Sequence, residues 1–300
     1  MTTLILDRRE LMLTLAATAG TAAIPSASFA GELATLTLGD IAVSSLSDGT
    51  FNIPAGWFPN ASPEALGTIG DEIEIGANQW LVHSGDRLIL IDTGAGPLYP
   101  GVGKLEALFM ARGIAKTDIT DIIITHMHGD HIGGLSGPDA GGYRNATLHM
   151  AQAEWDFWMD ADLVNKMPAE MRDIIEGQQA IITPIADRLA LYSGETDLGS
   201  GLTLLPLPGH TPGHSGVRIS GGGSELLIIA DAILSEAVQF AAPDITYVLD
   251  IDPAQAVETR KALLNQLANN QGLFAATHLA YPGIGKTAQS GDGFVFHPLS

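Results

Sequence analysis

The sequence contains no cysteine and few basic residues. With 14 Lys and Arg against 34 Asp and Glu, its formal net charge is −20 at pH 7. The lack of cysteine excludes disulfides, thiol nucleophiles, cysteine-ligated zinc and cysteine-held iron–sulfur clusters, so any transition-metal site must use histidine and carboxylates. The negative charge repels phosphate backbones and anionic lipid surfaces. We therefore expect neither nucleic acid nor membrane as a partner.

Charged residues of either sign are also scarce. They make up 16% of the 300 residues, against about 25% in an average soluble domain. Hydrophobic residues make up 46%. This composition excludes a disordered polyelectrolyte and predicts a chain that buries a substantial core.

The first thirty residues have the pattern of an export signal. Arg8 and Arg9 are adjacent, an apolar stretch of small residues runs over Leu11–Ile24, and Ser28-Phe29-Ala30 offers small residues for a signal peptidase. The pattern predicts a twin-arginine-type signal over residues 1–30 and a periplasmic mature protein. A buried or frayed N-terminal helix is the alternative. The stretch is too short and too often interrupted by threonine to span a bilayer.

The mature chain begins with strand patterns. Leu33–Leu38 and Ile41–Leu46 predict paired strands, followed by a turn at Asp48-Gly49. Residues 50–70 are rich in Pro, Gly and Asn, which predicts a long loop carrying exposed Trp57 and Phe58.

Further apolar segments alternate with helical ones along the remaining chain. Strands are predicted at Trp80–His83, Leu88–Ile91, Asp121–Thr125, Thr147–Met150, Leu202–Leu207, Gly216–Ile219, Glu225–Ala230, Leu273–Ala276 and Phe294–Phe296. Helices are predicted at Val102–Arg112 and Pro253–Asn269. Strands come in runs in each half, with helices between and after them. This order predicts an α/β fold of αββα type, two sheets packed face to face with helices outside, in one domain over residues 31–300.

The segment Thr125–His131 carries the strongest chemical signal. It places three imidazoles and one carboxylate within six residues, directly after a buried strand. In an extended turn His126 and His128 point the same way, while Asp130 and His131 are offset from them. Neutral imidazole and carboxylate suit Zn²⁺, with manganese, iron or cobalt as alternatives. Ligands in two pairs favour two adjacent metal ions over one.

Three further candidate ligands follow apolar strands. His210 comes after Leu202–Leu207, Asp231 after Glu225–Ala230, and His278 after Leu273–Ala276. Strand ends meet at one edge of a sheet, where active sites commonly lie. The seven residues together form a plausible ligand set.

These motifs resemble those of the metallo-β-lactamase-fold hydrolase superfamily, and most closely its methyl parathion hydrolase-like branch. Supporting strings are Leu46-Ser47-Asp48-Gly49-Thr50, Ile91-Asp92-Thr93-Gly94, Gly209-His210-Thr211-Pro212-Gly213-His214 and Tyr281-Pro282-Gly283-Ile284-Gly285. The resemblance implies that one metal is held by His126, His128 and His210, that the other is held by Asp130, His131 and His278, and that Asp231 bridges them.

Two such ions can lower the pKa of a shared water so that it becomes a hydroxide. This hydroxide can attack a carbonyl carbon or a phosphorus centre. Asp130 and Asp231 are then the candidate catalytic residues. Asp92, at a strand end, could orient a ligand histidine. His149 and His214 are assigned to packing or hydrogen bonding.

An apolar mouth is expected from Trp57, Phe58, Trp158 and Leu234. Such a mouth favours small neutral hydrophobic esters or lactones, with organophosphate triesters as a secondary substrate. Exposed loop aromatics would also allow a homodimer.

Three other functions stay open. Acyl-homoserine lactone lactonases resemble this site but carry a Tyr shortly after the bridging Asp, where this chain has Ala232, Ile233 and Leu234. β-Lactamases of this fold usually lack the bridging carboxylate, and many use a Cys ligand. The third is a non-catalytic periplasmic metal-binding module, which two bound metals without hydrolysis would indicate.

Overall fold

The computed structural model describes residues 28–29, 34–66 and 69–299. The predicted twin-arginine pair and apolar stretch lie outside these residues. In the described part, the strands are β1 (Ser28–Phe29), β2 (Ala34–Leu38), β3 (Ile41–Pro54), β4 (Glu72–Ser84), β5 (Arg87–Ile91), β6 (Asp121–Ile123), β7 (Thr147–Ala151), β8 (Leu189–Tyr192), β9 (Thr196–Gly199), β10 (Leu202–Pro206), β11 (Ser215–Gly221), β12 (Ser224–Ala230), β13 (Leu273–Ala276), β14 (Ile284–Ser290) and β15 (Gly293–Pro298).

Helices occupy the segments between the strand runs and after them. They are α1 (Pro63–Leu66), α2 (Leu105–Arg112), α3 (Gly129–Ile132), α4 (Pro138–Gly141), α5 (Gln152–Trp158), α6 (Leu163–Lys166), α7 (Arg172–Ile182), α8 (Glu236–Gln239) and α9 (Pro253–Asn270). Pro253 stands at the first turn of α9 and the Asp252 side chain accepts a hydrogen bond from the Gln255 N–H, which starts this helix. Among the described residues, we find no helix with both the length and the apolar character needed to cross a membrane.

The strands form two mixed sheets. The first runs β1 to β8 in chain order and is antiparallel up to β5, then parallel from β5 to β8. The second has the order β15-β14-β13-β12-β11-β10-β9, with one parallel pair, β12 and β13. The predicted αββα sandwich is confirmed.

The main core lies between the sheets because strands of both alternate apolar and polar residues. In β2 the burial follows this period of two, and the cluster joins Leu36 and Val43 of the first sheet to Val217 and Ile228 of the second. The outer faces are covered by helices. Phe109 of α2 packs on the first sheet, while Leu263, Leu264 and Leu267 of α9 pack on the second.

The predicted turn at Asp48-Gly49 is wrong, and the predicted loop over residues 50–70 begins only after Pro54. β3 continues to Pro54 and pairs with β4, with an irregular register between Ser47 and Thr50. The reason is that Asp48 is buried and its carboxylate accepts backbone N–H groups of Ala95, Gly103 and Leu105, so it anchors a neighbouring loop rather than a turn.

Four of the described strands escaped the sequence analysis. These are β1, β8, β9 and β14, which are short or carry polar residues on a solvent-facing side, as in Thr196–Gly199 and Ile284–Ser290. Their hydrophobic patterns are therefore too weak to stand out.

Candidate metal centre

The candidate site lies where the carboxyl ends of parallel strands from both sheets meet. The His126–His131 segment follows β6, Asp231 directly follows β12, and His278 follows β13. Two residues at these ends have left-handed backbone conformations that L-residues rarely adopt, Asp92 after β5 (φ 58°) and Ala230 at the end of β12 (φ 43°). Such conformations cluster at functional sites, and here they turn the chain out of each sheet.

Three histidines form a first ligand group with their ring nitrogens facing one another. His128 Nδ1 lies 3.0 Å from His126 Nε2 and 2.9 Å from His210 Nε2. All three side chains are buried. Nitrogen atoms at this spacing can surround one small cation.

Asp130, His131 and His278 form a second ligand group. Asp130 Oδ2 lies 3.7 Å from His131 Nε2 and 3.6 Å from His278 Nε2. Asp130 is half-buried while both histidines are buried, so solvent reaches the centre on this side.

Asp231 contacts both groups. Its Oδ2 lies 3.6 Å from His126 Nε2, 3.5 Å from His210 Nε2 and 2.9 Å from His278 Nε2. Its Oδ1 lies 3.2 Å from His131 Nε2. The structure therefore brings together all seven residues that the sequence analysis selected.

The donor set fits a dinuclear divalent metal site. Within the described residues, His131 Nε2 and Asp231 Oδ1 are buried and lack a hydrogen-bond partner. Such atoms are costly to bury unless something else binds them. Imidazole nitrogens and carboxylate oxygens are ligands of divalent transition metals, and two metal ions would satisfy both orphaned atoms.

Burial and neighbouring charges set the protonation of the cluster. Burial lowers the pKa of His126 and His128 well below the usual value, which keeps them neutral as metal ligands must be. Burial would raise the pKa of Asp231, but His131, His278 and His126 outweigh it and hold the pKa well below the usual value. The carboxylate is therefore ionised.

Each ligand histidine except His128 has its remaining ring nitrogen held by another group. His131 Nδ1 donates to Asp92 Oδ2 at 2.8 Å, and His210 Nδ1 donates to Asp250 Oδ1 at 2.9 Å. His278 Nδ1 donates to the Gly76 carbonyl at 2.8 Å, and His126 Nδ1 lies 3.1 Å from Thr125 Oγ1. These contacts fix the tautomers that leave Nε2 facing the centre.

Asp250 was missed by the sequence analysis, although it contacts His210 as Asp92 contacts His131. It lies in the loop Asp244–Asp252, after no strand and in no recognisable motif, so the sequence carries no signal for it. Its other oxygen accepts the Tyr247 N–H, and the buried Arg260 lies 3.8 Å away.

The four predicted substrate-contacting residues occupy different environments. Phe58 is 1% exposed and packs with Leu234 and Tyr247 in one cluster, so its predicted exposure in a loop is wrong. Trp57 is half-buried at the edge of that cluster. Trp158 is buried, and its ring meets that of His128 at a centroid distance of 5.6 Å.

Tyr247 is a further aromatic residue beside the centre, which the sequence analysis did not predict. Its ring stacks on His210, at a centroid distance of 6.3 Å, and also contacts Trp57. Leu98 and Tyr99 are exposed, and both lie close to Gly129, which separates the ligands His128 and Asp130.

His214 and His149 lie outside the two ligand groups. His214 Nδ1 donates to the Leu207 carbonyl, and its Nε2 accepts the Asp231 N–H at 3.1 Å, so both nitrogens are used. Burial lowers the pKa of His214 to about 4, which keeps the ring neutral. His149 stacks on Tyr192 and contacts Asp121.

A protein-family model matches this chain. The model described as "Metallo-beta-lactamase superfamily" matches residues 74–278. A protein of Mycobacterium tuberculosis named "Probable metallo-hydrolase" is 28% identical over 225 residues, which cover 66% of this chain and 68% of that protein.

Two solved structures resemble the whole fold. AidC, described as a dizinc quorum-quenching lactonase and solved with the product N-hexanoyl-L-homoserine, is 31% identical, with a TM-score of 0.83 over 89% of this chain and 97% of AidC. The hydrolase AbOPH is 29% identical, also with a TM-score of 0.83, over 91% of this chain and 99% of AbOPH.

Proposed function

Because the chain belongs to the metallo-β-lactamase superfamily and is a metal-dependent hydrolase, we propose that it uses two zinc ions to hydrolyse small neutral lactones and esters that carry an apolar group. Lactone opening is the leading reaction. Methyl parathion-like phosphotriesters are proposed as secondary substrates.

The seven residues have separate roles in this proposal. His126, His128 and His210 would hold one ion, Asp130, His131 and His278 the other, and Asp231 both. Bound there, two divalent ions supply a water of lowered pKa and polarise the carbonyl oxygen of the substrate. Asp92 and Asp250 keep their histidines oriented through Nδ1, so that Nε2 faces the centre.

The observation that carries the proposal is the position of Asp231. One carboxylate reaches histidines of both groups, through Oδ1 on one side and Oδ2 on the other. A side chain placed in this way would serve both ligand groups, which a site for a single ion does not require.

The surroundings of the centre favour a neutral, partly apolar substrate. The rings of Trp158 and Tyr247 pack against ligand histidines. Leu98 and Tyr99 are exposed beside Gly129, and Val248 is exposed where its N–H donates to the Trp57 carbonyl. The net charge of −20 gives no attraction for anions. The likeness to AidC along most of both chains supports a lactone as the reacting group, including N-acyl homoserine lactones.

Leu234 follows the bridging carboxylate by three residues and is buried in the cluster of Phe58 and Tyr247. Because its side chain is aliphatic, it offers no hydroxyl to the substrate. If homoserine lactones are hydrolysed, the reaction proceeds without a phenol at this position.

A substrate panel tests the proposal with protein that holds two zinc ions per chain. The panel contains dihydrocoumarin, N-acyl homoserine lactones of increasing acyl length, aryl acetates, methyl parathion and a cephalosporin. We expect the highest kcat/KM on a lactone. Asp231→Asn serves as the inactive control. The highest kcat/KM on the cephalosporin would contradict the proposal, and two bound ions with no hydrolysis would indicate a metal-binding module.

We also propose that the protein is exported through the twin-arginine route to the periplasm, on the pattern of Arg8 and Arg9. Replacing both by Lys should retain the protein in the cytoplasmic fraction of the expressing cell. Unchanged periplasmic yield of that variant would contradict export by this route.

A further inference from the structure

Glu154 is a fully buried carboxylate that no step of the proposed reaction uses. It lies in α5, and no Lys or Arg of the described residues forms an ion pair with it. Its Oε1 accepts the Met127 N–H at 2.8 Å and the Trp158 Nε1–H at 2.6 Å. Its Oε2 accepts the Thr211 hydroxyl at 2.6 Å and the Gly213 N–H at 3.1 Å. Four donors thus satisfy a charge that would otherwise be costly to bury.

Three of these four donors come from the segments that present the first ligand group. Met127 lies between His126 and His128, in the segment that follows β6 of the first sheet. Thr211 and Gly213 lie beside His210, in the loop between β10 and β11 of the second sheet. Glu154 therefore joins, through one side chain, two loops that start from different sheets.

The close packing around Glu154 supports this connection. A Cβ added to Gly213 would lie 2.0 Å from the Glu154 backbone nitrogen, so only glycine lets the second loop approach α5 this closely. Trp158, the fourth donor, places its ring against His128. Through these two contacts, α5 packs against both the His210 loop and His128.

The second ligand group depends on other partners. His131 is held by Asp92 and His278 by the Gly76 carbonyl, and Glu154 contacts neither. The hydrogen bonds of Glu154 thus serve one half of the centre.

We propose that Glu154 is a positioning residue that aligns His210 with His126 and His128 across the two sheets, and that its loss selectively weakens binding of the metal held by this group. The inference rests on the proposed dinuclear centre but not on the substrate.

Glu154→Gln is the sharpest test because it removes a single hydrogen bond from the link. The amide oxygen can still accept from Met127 and Trp158, and the amide nitrogen can donate to the Thr211 hydroxyl, which can turn to accept. The Gly213 N–H then faces a donor and loses its acceptor. The link to the His210 loop is weakened while the His126–His128 turn is retained.

The measurement is metal binding by the whole chain, using zinc in competition with a chelator and Co²⁺ absorption as the spectroscopic signal. We expect wild type to show two binding steps and Glu154→Gln to show one unchanged step and one weakened about 10- to 100-fold. Asp92→Asn should weaken binding by the second group, whose His131 it holds, but it is not selective, because Asp92 also accepts the N–H and the hydroxyl of Thr125 beside His126. Asp156→Asn, an exposed acid on the same helix, is the matched control and should bind both ions as wild type does.

Two outcomes would overturn the inference, namely unchanged binding of both ions by Glu154→Gln or equal weakening of both. Circular dichroism and the thermal midpoint establish that the variant is folded before metal is added. If wild type binds two ions but hydrolyses nothing on the substrate panel, the proposed reaction fails, while the role of Glu154 is still decided by the metal titration.

Discussion

Among the described residues, two clusters contain buried histidine and aspartate, and only one of these two has the properties of a metal site. The ligand cluster consists of the seven residues around Asp231. The second, here the Arg87 cluster, consists of Arg87, Asp121, His149 and Tyr192. In it, Asp121 Oδ1 lies 2.8 Å from His149 Nε2 and from Arg87 Nη2, and His149 Nδ1 lies 3.0 Å from the Tyr192 hydroxyl.

The difference lies in what satisfies the polar atoms. In the Arg87 cluster a permanent cation balances Asp121, and both nitrogens of His149 have protein partners. In the ligand cluster ring nitrogens face each other, and three buried polar atoms have no partner among the described residues, namely His128 Nε2, His131 Nε2 and Asp231 Oδ1. Composition alone does not separate a metal site from a structural ion pair. The test is whether the protein itself satisfies every buried polar atom.

The strongest test of this contrast removes the charge of Asp231. Asp231→Asn keeps the size of the side chain but loses the carboxylate that contacts both ligand groups. We expect loss of bound metal and a fall in kcat/KM of more than about 100-fold, beyond the range typical for losing a partner of a ligand. Elemental analysis and kinetics on the best lactone measure both.

Full turnover by Asp231→Asn would show that this carboxylate does not hold the metals. His149→Leu serves as the control from the Arg87 cluster, because it also changes a buried residue that contacts an aspartate. It should retain two ions per chain.

A smaller effect is expected at the carboxylates behind the ligands. Asp250→Asn leaves His210 in place but weakens the acceptor that orients its ring. Metal affinity should fall about 10- to 100-fold, the usual cost of losing such a partner. A chelator titration measures it, and unchanged affinity would place Asp250 among purely structural residues.

The sequence allowed prediction of the seven ligand-cluster residues because they follow apolar strands or form a dense motif. His126, His128, Asp130 and His131 lie within six residues, and Asp231 and His278 directly follow strand patterns. Local signals of this kind can be recognised without knowledge of the tertiary structure. The same holds for the two-sheet architecture, since the apolar periodicity of most strands is strong.

The residues that support the ligands could not be predicted in this way. Asp250 and Glu154 lie in a loop and a short helix, and their partners are 40 and up to 59 residues distant in the chain. Asp48-Gly49 has the signature of a turn, yet pairing with β4 keeps the strand continuous and redirects Asp48 to a loop. In each case a contact distant in sequence overrides the local pattern.

The Arg87 cluster predicts a loss of stability with no loss of metal. His149→Leu removes the imidazole that contacts Asp121 and leaves the Tyr192 hydroxyl without this partner. We expect the free energy of unfolding of the metal-free protein to fall by about 1–3 kcal/mol. Urea denaturation measures this. A loss of bound metal in this variant would remove the distinction between the clusters.

The smallest expected effect is the acid dependence of the Arg87 cluster. Burial raises the pKa of Asp121, but hydrogen bonds from His149, Arg87 and Thr120 outweigh it and hold the pKa well below its usual value. A carboxyl whose folded-state pKa is depressed contributes stability that is present above its unfolded-state pKa, about 3.9, and lost as the pH falls through the folded-state value. The difference in unfolding free energy between metal-free wild type and Asp121→Asn should therefore be constant above about pH 5 and shrink below about pH 4. A difference that stays constant down to about pH 2 would show that the ionised Asp121 carboxylate does not carry this stability.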